Sequence, residues 1–281
     1  MSRIQDILAK ADRDGTAGRL HPPPAVKAPA PAAVLDQAFE GASSIGVSAF
    51  MPTAMPAPAA APMRQEPRTA RATLHPALVA AIAPHSEIAE HYRAIRSKLT
   101  LREEQGPLRT IGITSPGDGD GKSVTAANLA LTMAQELQRR VVLIDADLRH
   151  PTVHGLFAVD RGPGLSEVLK GEATLDEALI HLPELQLALL PAGNAPDYPA
   201  ELLGSTAMRR TLDALGGRFD RMVLDLPSAL PLADVSTVAP YTDGMLMVIR
   251  AGVTQRPALD QALAIFEEQK VLGVVLNETS V

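Results

Sequence analysis

Pro116-Gly117-Asp118-Gly119-Asp120-Gly121-Lys122-Ser123 stands between an apolar run, Thr110 to Ile113, and a helical pattern, Val124 to Gln138. A strand, a glycine-rich turn and a helix in that order make a phosphate site. Glycines let backbone N–H groups curl around a polyphosphate, the lysine reaches the outer phosphates, and the hydroxyl ligates Mg²⁺. The strict pattern G-x-x-x-x-G-K-[ST] has a glycine where Pro116 stands, so Gly121-Lys122-Ser123 carries most of the signal. The alternative is a plain glycine-rich turn, which has no need of a lysine at the helix start.

Working outward, two more apolar runs end in acid. Val141 to Ile144 leads into Asp145-Ala146-Asp147-Leu148-Arg149, and Arg221 to Leu224 leads into Asp225. Open α/β sheets place ligands at the carboxyl ends of their strands. In an extended segment Asp145 and Asp147 share a side, so both are candidates to face a metal-bound phosphate, and Asp225 is a further Mg²⁺ candidate. Solvation of a strand end is the alternative for the acids. His150 and His154 lack a third ligand at metal-binding spacing and read as ordinary loop histidines.

Downstream, Glu167 to Leu169 and Leu175 to His181 read as short helices and Leu185 to Leu190 as a strand. Pro199 opens a helix to about Leu215, Gly244 to Arg250 is a strand, Pro257 to Gln269 the last helix and Val271 to Leu276 the last strand. Upstream, Ser86 caps a helix from Glu87 to about Leu101. Strands alternate with helices, and the strands are continuous apolar runs. This predicts an α/β fold with a mostly parallel sheet covered by helices on both faces.

The remaining bounds come from composition. The 281 residues are 46% hydrophobic and 21% charged, room for one α/β domain plus a segment that need not fold. Ten of the 24 prolines lie in the first 75 residues. Residues 15–75 therefore read as a disordered Pro/Ala-rich linker before a domain at 76–281. Ahead of it, residues 1–14 read as a short amphipathic helix: Ser2 and Gln5 form a capping box and Ile4, Ile7, Leu8 and Ala11 share a face. The absence of cysteine excludes disulfides and thiolate metal sites, and a net charge of −6 argues against a nucleic-acid surface. No run approaches the roughly 20 apolar residues of a membrane span, which predicts a cytoplasmic chain with no transmembrane segment.

On the phosphate loop, the D-x-D-x-R element at Asp145, Asp147 and Arg149, and the apolar run into Asp225, residues 86–281 resemble the bacterial tyrosine kinases of capsule and exopolysaccharide synthesis. Partition and septum-positioning ATPases share the P-loop scaffold but usually carry an extra lysine early in the loop, and none lies between Lys98 and Lys122. Glu90, Arg93 and Arg96 resemble the E-x-x-R-x-x-R helix through which such kinases form rings, and Gly273 to Asn277 resembles a segment near the nucleotide base.

The resemblance implies a P-loop NTPase fold and an ATP- and Mg²⁺-dependent autokinase that regulates polysaccharide polymerisation and export. Gly117, Asp118, Gly119, Asp120, Gly121, Lys122, Ser123, Val124 and Asn277 would bind the nucleotide. Lys122, Asp145, Asp147 and Asp225 would be catalytic, and Ser123, Asp147 and Asp225 would organise the metal. Asp145 is the candidate to activate or orient the acceptor hydroxyl. The implied partner is a membrane-spanning polysaccharide co-polymerase, acting through its cytoplasmic tail and recruiting the chain peripherally to the inner membrane.

Two departures stand out. The usual motif after the third acid has a second proline where this sequence has Ser228, and a C-terminal tyrosine cluster is not found. The three tyrosines are Tyr92, Tyr198 and Tyr241. That leaves a kinase acting at a non-tail tyrosine such as Tyr92, or on another protein. It also leaves a nucleotide-switched ATPase of the same machinery without tyrosine phosphorylation, and a scaffold that binds ATP without chemistry.

Overall fold

The computed structural model describes residues 68–70, 73–104, 106–136, 139–230, 234–266 and 270–278. The expected N-terminal helix and nearly all of the linker lie outside them. An eight-stranded sheet runs in the order β1 (Arg68–Thr69), β4 (Ile180–Leu182), β5 (Leu187–Leu190), β3 (Val141–Asp145), β6 (Arg221–Asp225), β2 (Thr110–Thr114), β7 (Gly244–Arg250), β8 (Val271–Asn277). Neighbouring strands are parallel except β4 and β5. Every residue of β2, β3, β5 and β6 is buried, which is why these segments read as unbroken apolar runs rather than alternating ones.

Helices cover both faces. On one, α1 (Val79–Ile82), α2 (Glu87–Glu103) and α3 (Lys122–Ala134) contribute Ala80, Leu99, Leu129 and Met133 to a core with Ile111, Ile113, Leu143 and Val223. The short α4 (Val153–Leu156), α5 (Leu165–Lys170) and α6 (Leu175–Ala178) follow β3. On the other face α7 (Pro199–Leu203), α8 (Thr206–Gly216), α9 (Asp234–Val238) and α10 (Arg256–Leu263) bring Leu203, Met208, Leu212, Val235 and Leu259 against Val142, Ile144, Leu190, Leu224 and Met247. Adjacent β3 residues thus feed opposite cores, as the strand period of two requires.

Two polar devices fix the helices nearest the loop. Ser86 Oγ accepts from Ala89 N at 3.2 Å and caps α2. Asn128, fully buried on α3, accepts from Ala80 N and donates to Ala77 O, each at 2.9 Å, so it ties the segment before α2 to the phosphate-loop helix.

Three expectations are corrected. The helix expected over Leu175 to His181 ends at Ala178, and Ile180–Leu182 forms β4 instead. Ile180 and Leu182 are buried while His181 between them is half-buried, a period of two that three residues were too few to display. The helix from Pro199 to about Leu215 is broken at Gly204, after which Ser205 starts α8 by accepting from Met208 N at 3.3 Å. Within the expected linker, Arg68–Thr69 pairs with Ile180–His181 as β1, and Arg68 Nη1 donates to Pro163 O at 3.2 Å and Glu177 O at 3.0 Å. Among the described residues no helix is long and apolar enough to cross a membrane.

Candidate functional site

The loop between β2 and α3 is shaped by its own residues. Ser115 Oγ donates to Gly117 O at 2.6 Å and Gly117 N donates to Asp120 Oδ2 at 3.2 Å. Thr254 Oγ1 donates to Asp120 Oδ1 at 2.7 Å, and Asn277 Nδ2 donates to Asp120 O at 3.0 Å. Asp120 is therefore the knot that holds the loop to the ends of β7 and β8. The loop is also laced to the turn after β6, where Ala229 N and Leu230 N donate to Ser115 O and Pro116 O at 2.7 and 3.1 Å. Asp118 and Gly119 face solvent at the tip, while Lys122 and Ser123 are buried in the first turn of α3, with Val124 beside them.

Gly121, just before α3, has φ +92°, and a Cβ there would meet Asn277 Nδ2 at 2.0 Å. Left-handed φ is disfavoured for any residue with a Cβ. Gly121→Val is expected to push Asn277 away and misalign the loop amides, lowering ATP affinity at least tenfold while the fold survives. Equilibrium nucleotide binding checks this; unchanged affinity would remove Gly121 from the site.

Beneath the loop lie Asp145, Asp147 and Asp225, no more than 1% exposed, with Lys122 at 7%. Asp145 and Asp225 are register partners on the adjacent β3 and β6. Lys122 Nζ bonds Asp147 Oδ2 at 2.6 Å, and His150 N donates to Asp147 Oδ1 at 2.9 Å. Asp145 accepts from Asp147 N and Val153 N, each at 3.2 Å, which folds the segment after β3 around it.

Asp225 differs: neither carboxylate oxygen has a partner at hydrogen-bond geometry, although the Ser123 hydroxyl lies near enough to favour the charged form. Burial pushes its pKa up to about 6, against the pull of the Lys122 charge and that hydroxyl. Burial and the Asp225 charge hold Asp145 well above the usual carboxylate range. Lys122 sits above its ordinary value: burial works to lower it, and the charges of Asp225 and Asp147 outweigh that.

Three buried carboxylates face one buried ammonium, and an orphaned carboxylate costs free energy until a cation or donor meets it. Ser123, Asp147 and Asp225 are oxygen donors of the kind Mg²⁺ takes. Among the described residues no three acidic or histidine side chains converge to hold a metal by themselves. The donor set therefore fits an ion that takes its other ligands from a bound nucleotide and water.

Arg149 is committed elsewhere. Its Nε donates to Asp234 Oδ2 and its Nη2 to Asp234 Oδ1 at 3.1 Å, clamping the segment after Asp147 to the start of α9. Asp234, buried at 2% exposure, and Thr254 escaped the sequence reading, since their partners lie 85 and 134 residues away.

The structure does not bring Glu90, Arg93 and Arg96 to this cluster. Arg93 bonds Glu90 Oε1 at 2.7 Å and Pro84 O, while Arg96 bonds Thr132 O at 2.7 Å and Glu136 Oε1 at 3.1 Å. Tyr92, one of the non-tail tyrosines open as an acceptor, is 8% exposed, and burial against α3 beside Thr125 and Asn128 raises its pKa. It is packed away from incoming phosphate.

With this geometry in hand, residues 111–280 match the CobQ/CobB/MinD/ParA nucleotide binding domain family. The chain is 35% identical to tyrosine-protein kinase YwqD of Bacillus subtilis over 202 residues, 71% of this chain and 85% of that protein. It is 35% identical over 202 residues to the succinoglycan biosynthesis transport protein ExoP of Rhizobium meliloti, spanning 70% of this chain and 26% of ExoP. The crystal structure of the chimerical protein CapA2B2 superposes with a TM-score of 0.70 at 29% identity, covering 73% of this chain and 91% of that one. The chain belongs to the bacterial tyrosine-protein kinases, built on the CobQ/CobB/MinD/ParA nucleotide-binding domain.

Proposed function

We propose that this chain transfers the γ-phosphoryl group of ATP to tyrosine in the machinery of exopolysaccharide polymerisation and export. The observation that carries the reading is Asp225: a buried carboxylate without a partner, one strand from Asp145 and beside Lys122. Its relatives YwqD, a tyrosine-protein kinase, and ExoP, a polysaccharide biosynthesis transport protein, supply the acceptor and the setting.

The loop amides from Gly117 to Ser123 cradle the phosphates, and Asn277 closes the loop from the β8 side, where the base would lie. Lys122 exchanges its bond with Asp147 for the outer phosphates, which releases Asp147 Oδ2. Mg²⁺, held by Ser123, Asp147 and Asp225, would neutralise charge on the phosphates as it does in phosphoryl-transfer sites generally. Asp145 keeps the segment through Val153 in place and orients the acceptor hydroxyl. Catalysis here is positioning and electrostatics, since the loose transition state asks for little covalent help.

The partner this reading calls for is a membrane-spanning co-polymerase whose cytoplasmic tail recruits the chain to the inner membrane. A ring built through α2 would draw on Glu90, Arg93 and Arg96, and would have to compete with the bonds Arg93 makes to Glu90 and Pro84 O and Arg96 makes to Thr132 O and Glu136. Incubation with Mg²⁺ and γ-labelled ATP, with and without that tail, tests the function. Labelled phosphotyrosine is expected; phosphate release with no labelled protein, including with an added copolymer of glutamate and tyrosine, would replace the kinase with a nucleotide-switched ATPase.

A further inference from the structure

The three tyrosines have unlike surroundings. Tyr92 is buried under α3, and Tyr241 directs its hydroxyl at Gly204 O at 3.4 Å. Tyr198 is 67% exposed, at the entry to α7. Its place in the sheet matters as much. β5 runs parallel to β3, with Leu190 paired to Ile144, so the chain after Leu190 leaves at the edge that carries Asp145 and Asp147. Tyr198 follows eight residues later, next to the exposed Asp197.

The support under that segment is rigid. Glu167 Oε1 accepts from Asn194 N and Nδ2, both at 2.9 Å, and its Oε2 accepts from Gly164 N at 2.8 Å. Ser166 Oγ donates to Asn194 O and Arg161 Nε to Gly193 O, both at 2.7 Å. Gly193 has φ +79°, and a Cβ there would lie 2.0 Å from Glu167 Oε2, so the turn passes hard against the carboxylate. On the far side Leu203, 0% exposed, pins α7 to the core. Four residues, Ala195 to Tyr198, thus stand out from a braced stem and hold a phenol in solvent.

We propose that Tyr198 is the tyrosine this chain phosphorylates on itself, in trans, offered to the site of a second copy. The proposal rests on the kinase reading above. A side chain this exposed is free to enter a neighbour's site. The Tyr198 oxygen attacks the γ-phosphorus; the bond from that phosphorus to the β,γ-bridging oxygen breaks, ADP leaves with the electron pair, and the phenolic proton passes to water. The product is a phosphomonoester on the Asn194–Leu203 segment.

The test uses the full chain with Mg²⁺ and γ-labelled ATP, followed by phosphopeptide mapping. Label is expected on the Tyr198 peptide, and Tyr198→Phe is expected to lose at least tenfold of self-labelling while phosphorylating a glutamate–tyrosine copolymer as the wild type does. Mixing active Tyr198→Phe with Lys122→Met, or with Asp225→Asn should the former fail to fold, is expected to place label on the inactive copy. Self-labelling that survives Tyr198→Phe overturns the assignment, as does label confined to another tyrosine. Labelling of Tyr198 that mixing cannot reproduce overturns the second-copy arrangement. Copolymer labelling without self-labelling sinks this inference and leaves the kinase standing, whereas no labelling of either removes both.

Discussion

Replacing Lys122 by Met is expected to lower phosphotyrosine formation about 10²–10³-fold, the loss that follows removal of one preorganised group aimed at transition-state charge. Lys122 is placed for that role. Its ammonium is buried, and Asp225 and Asp147 keep it protonated against the cost of burial. The same contacts make the substitution structurally expensive. Removing one partner of a buried pair leaves the other uncompensated, at a cost of about 3–5 kcal/mol, so thermal unfolding must accompany the assay. Lys122→Arg separates the two effects. It keeps the positive charge against Asp147 and is expected to fold, yet a planar guanidinium cannot take the place of a compact ammonium among the phosphates, and most activity should still be lost. A folded Lys122→Met protein with wild-type labelling would end the assignment of this loop to the phosphates.

The central strands and the loop were legible because burial on both faces leaves an unbroken apolar run, and an acid at the end of such a run breaks the pattern sharply. Thr110–Thr114, Val141–Asp145 and Arg221–Asp225 all carry this mark. Their order in space was not legible. That Asp145 and Asp225 are register partners depends on β6 lying between β3 and β2, which periodicity along one strand does not encode. The same limit hid the two contacts that fix the site from a distance, Arg149 with Asp234 and Thr254 with Asp120, because the partners carry no local signature of each other. Tyr92 illustrates a different gap: on a helix of mixed polarity, only the tertiary packing against Thr125 and Asn128 decides that its phenol turns inward. β4, three residues long, owes its conformation to the strands on either side rather than to propensity.

Asp225→Asn is expected to reduce phosphoryl transfer about 10²–10³-fold and at the same time to raise the stability of the nucleotide-free protein. The opposite signs follow from one fact. A carboxyl titrating at about 6 in the folded chain and at about 3.9 unfolded binds its proton more tightly when folded. The contribution of this one group to stability is then greatest below about pH 4 and falls as the pH rises toward 6, with the full penalty present above that. Two units correspond to about 3 kcal/mol. The value of about 6 already contains the attraction to Lys122, so the gain expected at pH 7.5 is about 3 kcal/mol. For a domain of this size that is a rise in Tm of about 6–12 °C. Thermal unfolding with EDTA at pH 5 and pH 7.5 checks it. The advantage of Asp225→Asn should be clear at the higher pH and fall to about half at the lower, which lies midway between the two pKa values. Adding Mg²⁺ and ATP should then stabilise the wild type strongly and the variant little, because only the wild type keeps the anionic oxygens that a metal-bound nucleotide would engage. A variant that is less stable at neutral pH, or whose gain is the same at both pH values, would mean that Asp225 finds a partner in the folded chain and is not the vacant ligand on which the site depends.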